Sequence, residues 1–247
     1  VEAQYQTKKR YMFDVTASRL SDHDPQMVYA QANNANRYID RTMSSSMNRN
    51  IDGDGKSQYG SYNYQHNWKT KGASDYSTNR WNISANMGHS DGWNTIGQST
   101  ETFFPNKEHT FAVSNNYRYS HKLSPQIETQ LFAYTDSVNT IQVNVKATYE
   151  KSSNSNEDKG ASYGYDQNNF KYHSLADAFA AKPGDALYER LITRNNNYQS
   201  SDQQTRGLNI DYTWKHFIGK KGSFSIQGYT YINGANEDTH INRDLEY

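Results

Sequence analysis

Three short stretches bring together side chains capable of chemistry. "SDHDP" (21–25) places Asp22, His23 and Asp24 side by side. Asp and His pairs activate water in hydrolases, but a working site needs carboxylates from a second strand, and no matching motif follows. "GHSD" (88–91) sets His89 beside Ser90, a base next to a nucleophile. Neighbouring strand residues point to opposite faces, so this pair is badly placed to share a proton. "NRNIDGDGKSQY" (48–59) spaces Asn48, Asn50, Asp52 and Asp54 by two, with Gly53 between the last pair. An EF-hand loop would carry glutamate at its twelfth position, where Tyr59 stands, so the stretch reads as a glycine-rich surface turn rather than a calcium loop. The eight histidines show no HxxxH spacing and cysteine is absent. No metal site, cofactor or enzymatic activity is expected. Tyr163, Tyr165, Phe170 and Tyr172 suit either sugar stacking or an aromatic girdle at a membrane surface, with the girdle favoured.

The elements that carry these residues are strands. "WNISANM" alternates apolar Trp81, Ile83, Ala85 and Met87 with Asn82, Ser84 and Asn86, the period-two signature of a strand with one dry face. "IQVNVKATYE" repeats it with Ile141, Val143, Val145, Ala147 and Tyr149, and "LNIDYTW" with Leu208, Ile210, Tyr212 and Trp214. Similar runs occur at "YMFDVTASR", "YGSYNYQHNW", "FAVSNNYRY", "IETQLFAYT" and "FSIQGYTYI". Many of these strands reach roughly 11 to 14 residues, against 5 to 6 for most globular strands. Turn residues mark short connections at 69–75, 122–126, 135–140 and 217–223, and the remaining connections, 21–57, 90–108 and 153–203, are long. Alternation of short and long connections fails after 135–140 unless a ninth strand lies at 160–172, entered by a turn at "NSNEDKG". Within the last loop, Leu175, Ala178 and Phe179 have helical spacing, Ser174 is a ready N-cap and Pro183-Gly184 ends the run.

Composition narrows what the dry faces touch. The mean hydropathy is −1.09, and only 34% of residues are hydrophobic. Yet 14% are aromatic, with 21 tyrosines, which argues against disorder. A polar but tyrosine-rich chain of alternating strands fits a β-barrel with a wet lumen. Twenty-six basic and 26 acidic residues cancel, so nothing steers the chain to nucleic acid. No run of about 18 apolar residues forms a transmembrane helix. The opening "VEAQYQTKKRYMFDV" reads as the interior of a larger protein. The expected fold is all-β: an antiparallel up-and-down transmembrane β-barrel, partial, with roughly eight to nine long strands and long polar loops. Residues 1–247 form one domain without a recognisable plug, and Trp81, Ile83, Ala85, Met87, Ile141, Val143, Val145, Leu208 and Ile210 face lipid.

"TWKHFIGKKGSFSIQGYTYINGANEDTHINRDLEY" and "YTDSVNTIQVNVKATYEKSSNSN" resemble barrel segments of TonB-dependent-receptor-like outer-membrane proteins of Bacteroides-type bacteria. The resemblance spans most of 58–247 and rests on strand pattern and turn chemistry. It implies a Gram-negative outer-membrane location and energy-coupled uptake of a nutrient, a glycan or similar. Outer-membrane lipid, a periplasmic energy-coupling protein and a surface lipoprotein are the implied partners. Nine strands fall short of the 22 of a full transporter barrel. "NEDTHINR" is also too polar for a convincing terminal strand. Two other readings compete: a soluble, secreted, glycan-binding β-sandwich with its stripes packed sheet on sheet, and a barrel protease or lipase using Asp22, His23, His89 or Ser90.

Overall fold

Among the described residues, nine strands lie side by side in chain order in one antiparallel sheet. The computed structural model describes residues 2–6, 10–34, 54–69, 78–103, 109–165, 172–219 and 222–246. The strands are β1 (Glu2–Gln6), β2 (Arg10–Arg19), β3 (Gln26–Asn33), β4 (Asp54–Trp68), β5 (Asn79–Thr102), β6 (His109–Tyr134), β7 (Asn139–Tyr165), β8 (Leu191–Ile218) and β9 (Gly222–Glu246). Between β7 and β8 stand a short helix, α1 (Leu175–Ala180), and a 3-10 turn, Tyr188–Arg190. The fold is thus all-β, up-and-down and barrel-like. Among the described residues the sheet does not close: β1 pairs only with β2, and β9 only with β8.

The strands are longer than their alternation suggests. From β5 to β9 they hold 24, 26, 27, 28 and 25 residues. At about 3.3 Å per residue that is roughly 80–90 Å. The turn expected at 122–126 is absent, and β6 runs straight through it. With this merger of two expected strands, the connections expected to be short at 69–75, 135–140 and 217–223 all fall at one end of the sheet. The turn expected at "NSNEDKG" is likewise strand, because β7 continues to Tyr165. Only 160–165 of the expected ninth strand is therefore ordered as strand, as the end of β7, and 166–171 lies outside the described residues. The long connections shrink correspondingly. β3 lies within 21–57, β5 covers 90–102, and β8 begins at Leu191. "NEDTHINR" belongs to β9 despite its polarity. Most of the stretch 69–75, and residues 48–53 of the glycine-rich stretch, lie outside the described residues.

Turn chemistry explains the tight ends. Asp136 Oδ1 accepts from the backbone N–H of Val138 and of Asn139, each at 2.8 Å, and Asn139 Nδ2 donates to Oδ2 at 2.7 Å. The side chain thereby mimics the backbone of a turn between β6 and β7. Gly219 adopts φ +60° between β8 and β9, a conformation that costs glycine nothing.

A small core sits at the far end of the long strands. Phe111 and Val113 of β6 oppose Tyr163 and Ala161 of β7. With Tyr165 and Ala178 of α1 they form one buried cluster, flanked by Leu175, Leu187 and Leu191. The helix starts as its sequence predicts. Ser174 accepts from the Asp177 N–H at 3.2 Å, and Asp177 Oδ2 accepts from the Ser174 N–H at 2.8 Å, a reciprocal capping box. Arg194 of β8 closes the other end. Its Nη1 donates towards the carbonyls of Ala178, Phe179 and Ala181 at 3.4, 3.5 and 3.4 Å, its guanidinium lies 5.7 Å from the Phe179 ring, and Glu246 of β9 pairs with it.

Two predictions follow from these anchors. Arg194→Ala should release α1 alone, lowering its local opening free energy by about 1–2 kcal/mol. Hydrogen exchange would show faster amides over 175–181 with β4 and β5 unchanged. At Asp136 the hydrogen bond from Asn139, helped by the N–H of Val138, holds the carboxyl below the ordinary carboxylate range. A depressed folded value means the turn's contribution is present above the unfolded pKa, about 3.9, and is lost as pH falls through the lower folded value. Amide protection at Val138 and Asn139 should fall over that acid window, and Asp136→Asn should abolish the pH dependence.

Candidate functional site

The register carries one face of the sheet across eight strands. Ala17 pairs with Val28, Val28 with Tyr62, Tyr62 with Ala85, Ala85 with Ile127, Ile127 with Ala147, Ala147 with Leu208 and Leu208 with Ile232. Directly opposed residues share a face, so this is one continuous apolar row. The next row towards the short turns holds Tyr64, Ile83, Thr129, Val145 and Ile210, and the one beyond it Trp81, Leu131, Val143 and Tyr212. Ile141 follows, between Ala133 and Trp214. All nine residues expected on the dry face therefore fall on one face in adjacent rows, Met87 among them opposite Gly60 and Pro125.

Nothing in the described residues covers this belt. Met87 is 55% exposed, Ile127 51% and Ile232 59%, values at odds with a packed interior. On β7 the belt runs from Ile141 to Tyr149, about 26 Å along the strand. Aromatic rings fringe it. Trp214 meets Phe224 edge-on at 6.1 Å, and Trp68 stacks on His66 at 5.5 Å, both near the short turns. At the other margin the Arg206 guanidinium lies 6.0 Å from the Tyr149 ring. Trp81 keeps its one polar atom satisfied by donating from Nε1 to Thr129 Oγ1 at 2.7 Å.

The opposite face is polar in the same rows. Ser18, Met27, Asn63, Ser84, Glu128, Lys146, Asn209 and Tyr231 form the row behind the apolar one. A groove of about 540 Å³ opens there, with Ser18, Asn63, Asn82, Ser84, Glu128 and Gln130 in its walls. Its polar groups are side-chain amides, hydroxyls, the Glu128 carboxylate and the Arg19 guanidinium, beside apolar Leu20, Pro25 and Met27; they can hydrogen-bond a polar solute and include no nucleophile paired with a base.

The residues singled out for chemistry scatter. Asp24 is joined by β4, accepting from the Tyr64 hydroxyl at 3.2 Å and meeting His66 Nδ1 at 2.6 Å. Asp22 and His23 stay in the turn, where the Ser21 hydroxyl accepts from the His23 and Asp24 N–H groups. His89 and Ser90 lie on opposite faces, since His89 pairs with Gln58 and Leu123, and Ser90 with Ser57 and Lys122. Tyr163 and Tyr165 correct the expectation of a girdle or sugar platform: they are buried, at 1% and 4% exposure, in the core that α1 covers. Tyr172 meets Phe111 edge-on at 5.6 Å, and Phe170 lies outside the described residues.

One constellation escaped the sequence altogether. Asp91 pairs across the ladder with His121, and His89 stands two residues earlier on the same face. His121 Nδ1 lies 2.7 Å from Asp91 Oδ1, His89 Nε2 lies 3.6 Å from it, and the Tyr119 hydroxyl donates to it at 3.3 Å. Burial pushes the Asp91 carboxyl up, but the His121 hydrogen bond and the nearby His89 outweigh it and hold it below the usual range. Only the cross-strand register reveals this group, because His89 and His121 are distant in the chain.

No family model, curated protein or solved structure matches the chain.

Thr129→Val removes the acceptor of the Trp81 indole. In a medium that cannot replace the hydrogen bond the loss should cost about 1–3 kcal/mol, and in water close to nothing. Equilibrium unfolding of Thr129→Val, Trp81→Phe and the double variant, in lipid and in buffer, reads which medium the belt meets.

Proposed function

We propose that the chain is an outer-membrane β-barrel segment whose apolar belt faces lipid and whose polar face lines a wet lumen. The observation that carries this is the unbroken row from Ala17 to Ile232, half-exposed to exposed on one face and backed by a mostly polar row on the other. A lipid-facing band about 25 Å tall, fringed by aromatic girdles, is what such barrels present. Strand tilt brings the 26 Å of belt on β7 to about 20 Å along a barrel axis, and the fringing rings supply the remainder. The open edge along β9 fits a barrel completed by further strands.

Within that class we assign the segment to a TonB-dependent-type transporter or receptor for nutrient uptake, working with a periplasmic energy-coupling protein and a surface lipoprotein. Support comes from the turn chemistry of 135–140 and 217–223 and from strands that continue far past the belt. The groove behind the belt suits a glycan or similar polar nutrient. No catalytic role is assigned to Asp22, His23, His89 or Ser90. A soluble glycan-binding sandwich is the competing reading, and it requires a second sheet over the belt; among the described residues there is one sheet.

Val145→Arg or Ile83→Arg in the middle of the belt should cost about 2–4 kcal/mol in lipid, whereas Asn144→Arg on the opposite face should be mild. Reversible unfolding into lipid vesicles measures this, and a larger loss at Asn144 would invert the assigned facing. Fractionation adds an independent check: extraction should need detergent, and recovery in plain buffer would favour the sandwich.

A further inference from the structure

We propose that His89, Asp91 and His121 form a binding site for a divalent transition-metal ion of the zinc class. Their ligand atoms all lie within 4.8 Å of one another. Two imidazoles and one carboxylate are a donor set that zinc and its neighbours favour over calcium or magnesium. Three ligands at about 2.0–2.2 Å from a tetrahedral ion stand roughly 3.4 Å apart. The 3.6 Å between His89 Nε2 and Asp91 Oδ1 is already close to that spacing. The 2.7 Å between His121 Nδ1 and Asp91 Oδ1 has to open, which a small side-chain rotation supplies.

The frame holding the three groups is rigid where it needs to be. Asp91 and His121 are ladder partners deep inside two strands of 24 and 26 residues, far from either strand end. The imidazole rings stand 5.1 Å apart, inclined at 63°. Tyr119 fixes the carboxylate through its hydroxyl, as hydrogen-bonding partners of metal ligands do. His89 Nδ1 is buried with no hydrogen-bond partner, so nothing competes to turn that ring away. The side chains remain 22–28% exposed, which leaves a path for the ion and a coordination position for water.

Placement gives the site a role. His89 follows Met87, the last belt residue of β5, so the ion would bridge β5 and β6 at the margin where the apolar face ends. It would act there as a staple between two long strands. The site depends only on the β5–β6 ladder and stands whether or not the belt faces lipid.

The test titrates zinc, and cobalt as a spectroscopic probe, into the chelator-treated full chain kept folded in detergent or buffer. One ion should bind per chain, with cobalt bands typical of nitrogen and oxygen ligation. His89→Ala and His121→Ala should each lose more than the about 10- to 100-fold that removing a ligand's hydrogen-bonding partner costs. His66→Ala should bind like wild type, because His66 and Asp24 have no third donor among the described residues. X-ray absorption of the wild-type zinc complex, which needs no variant to fold, should show two imidazoles and oxygen at about 2.0–2.2 Å. Equal binding by a folded His89→Ala/His121→Ala double variant, or a zinc spectrum without two imidazoles, would overturn the site.

Discussion

The structure depends on one constraint: a strand shows alternate residues to alternate faces, and an antiparallel ladder keeps opposed residues on the same face. Once β4 and β5 are in register over fifteen pairs, the facing of every later strand follows. A slip of one residue anywhere would turn a whole stripe to the wrong side. The sheet avoids this with lengthy registers, 23 pairs between β5 and β6 among them. The apolar belt, the polar groove and the His–Asp–His group are all consequences of that single alignment.

The same constraint explains what was legible in the sequence. The nine residues expected on the dry face could be read because their neighbours were polar, so period two was visible. Beyond the belt both faces of a strand meet polar surroundings, and alternation disappears. "NSNEDKG" and "NEDTHINR" then look like loops, because Asn, Asp and Gly are turn formers wherever no ladder partner is available. In the sheet "NSNEDKG" has partners on both sides, Ser155 with Tyr119 and Ser200 for example, and "NEDTHINR" pairs with β8 on one side, so both extend as strand. Pro125 misled in the same way. It lacks an N–H, and the β6–β7 pairing skips from Leu123 to Gln126, yet the register is unchanged on either side. β3 was hidden for the opposite reason: Met27 and Tyr29 put apolar side chains on the polar face and blurred its period. Helix α1 was legible because its cap is local, Ser174 to Asp177.

Long, doubly wet strands have little to hold them beyond their hydrogen bonds, since polar ladders bury scant apolar surface. The protein answers this at the distal end. Phe111, Val113, Ala161 and Tyr163 make an apolar patch on the same face as the belt, separated from it on β7 by Lys151, Ser153, Ser155, Glu157 and Lys159. The belt is left open, but this second patch is closed by α1 and locked by Arg194. The chain thus treats two apolar areas of one face differently. Where it supplies its own cover, the residues are buried, and where it does not, they stay half exposed.

That difference bears on what covers the belt. A second protein sheet would pack along the length of such strands and would reward apolar residues wherever it touched them. The stripe on β7 stops at Tyr149, that on β5 at Met87 and that on β8 at Leu208, although each strand continues well beyond. These three stops lie in adjoining rows of the register. On those three strands the stripe ends within two adjoining rows, with Leu123 carrying β6 one row further, a narrow limit that a slab of fixed thickness imposes and a partner of arbitrary shape does not. A hydrocarbon layer is such a slab. His89 and Asp91 begin on β5 immediately past that level, where ionisable groups can again be hydrated. The boundary is therefore drawn twice on one strand, by the last thioether and by the first imidazole, and both marks favour lipid over a second sheet.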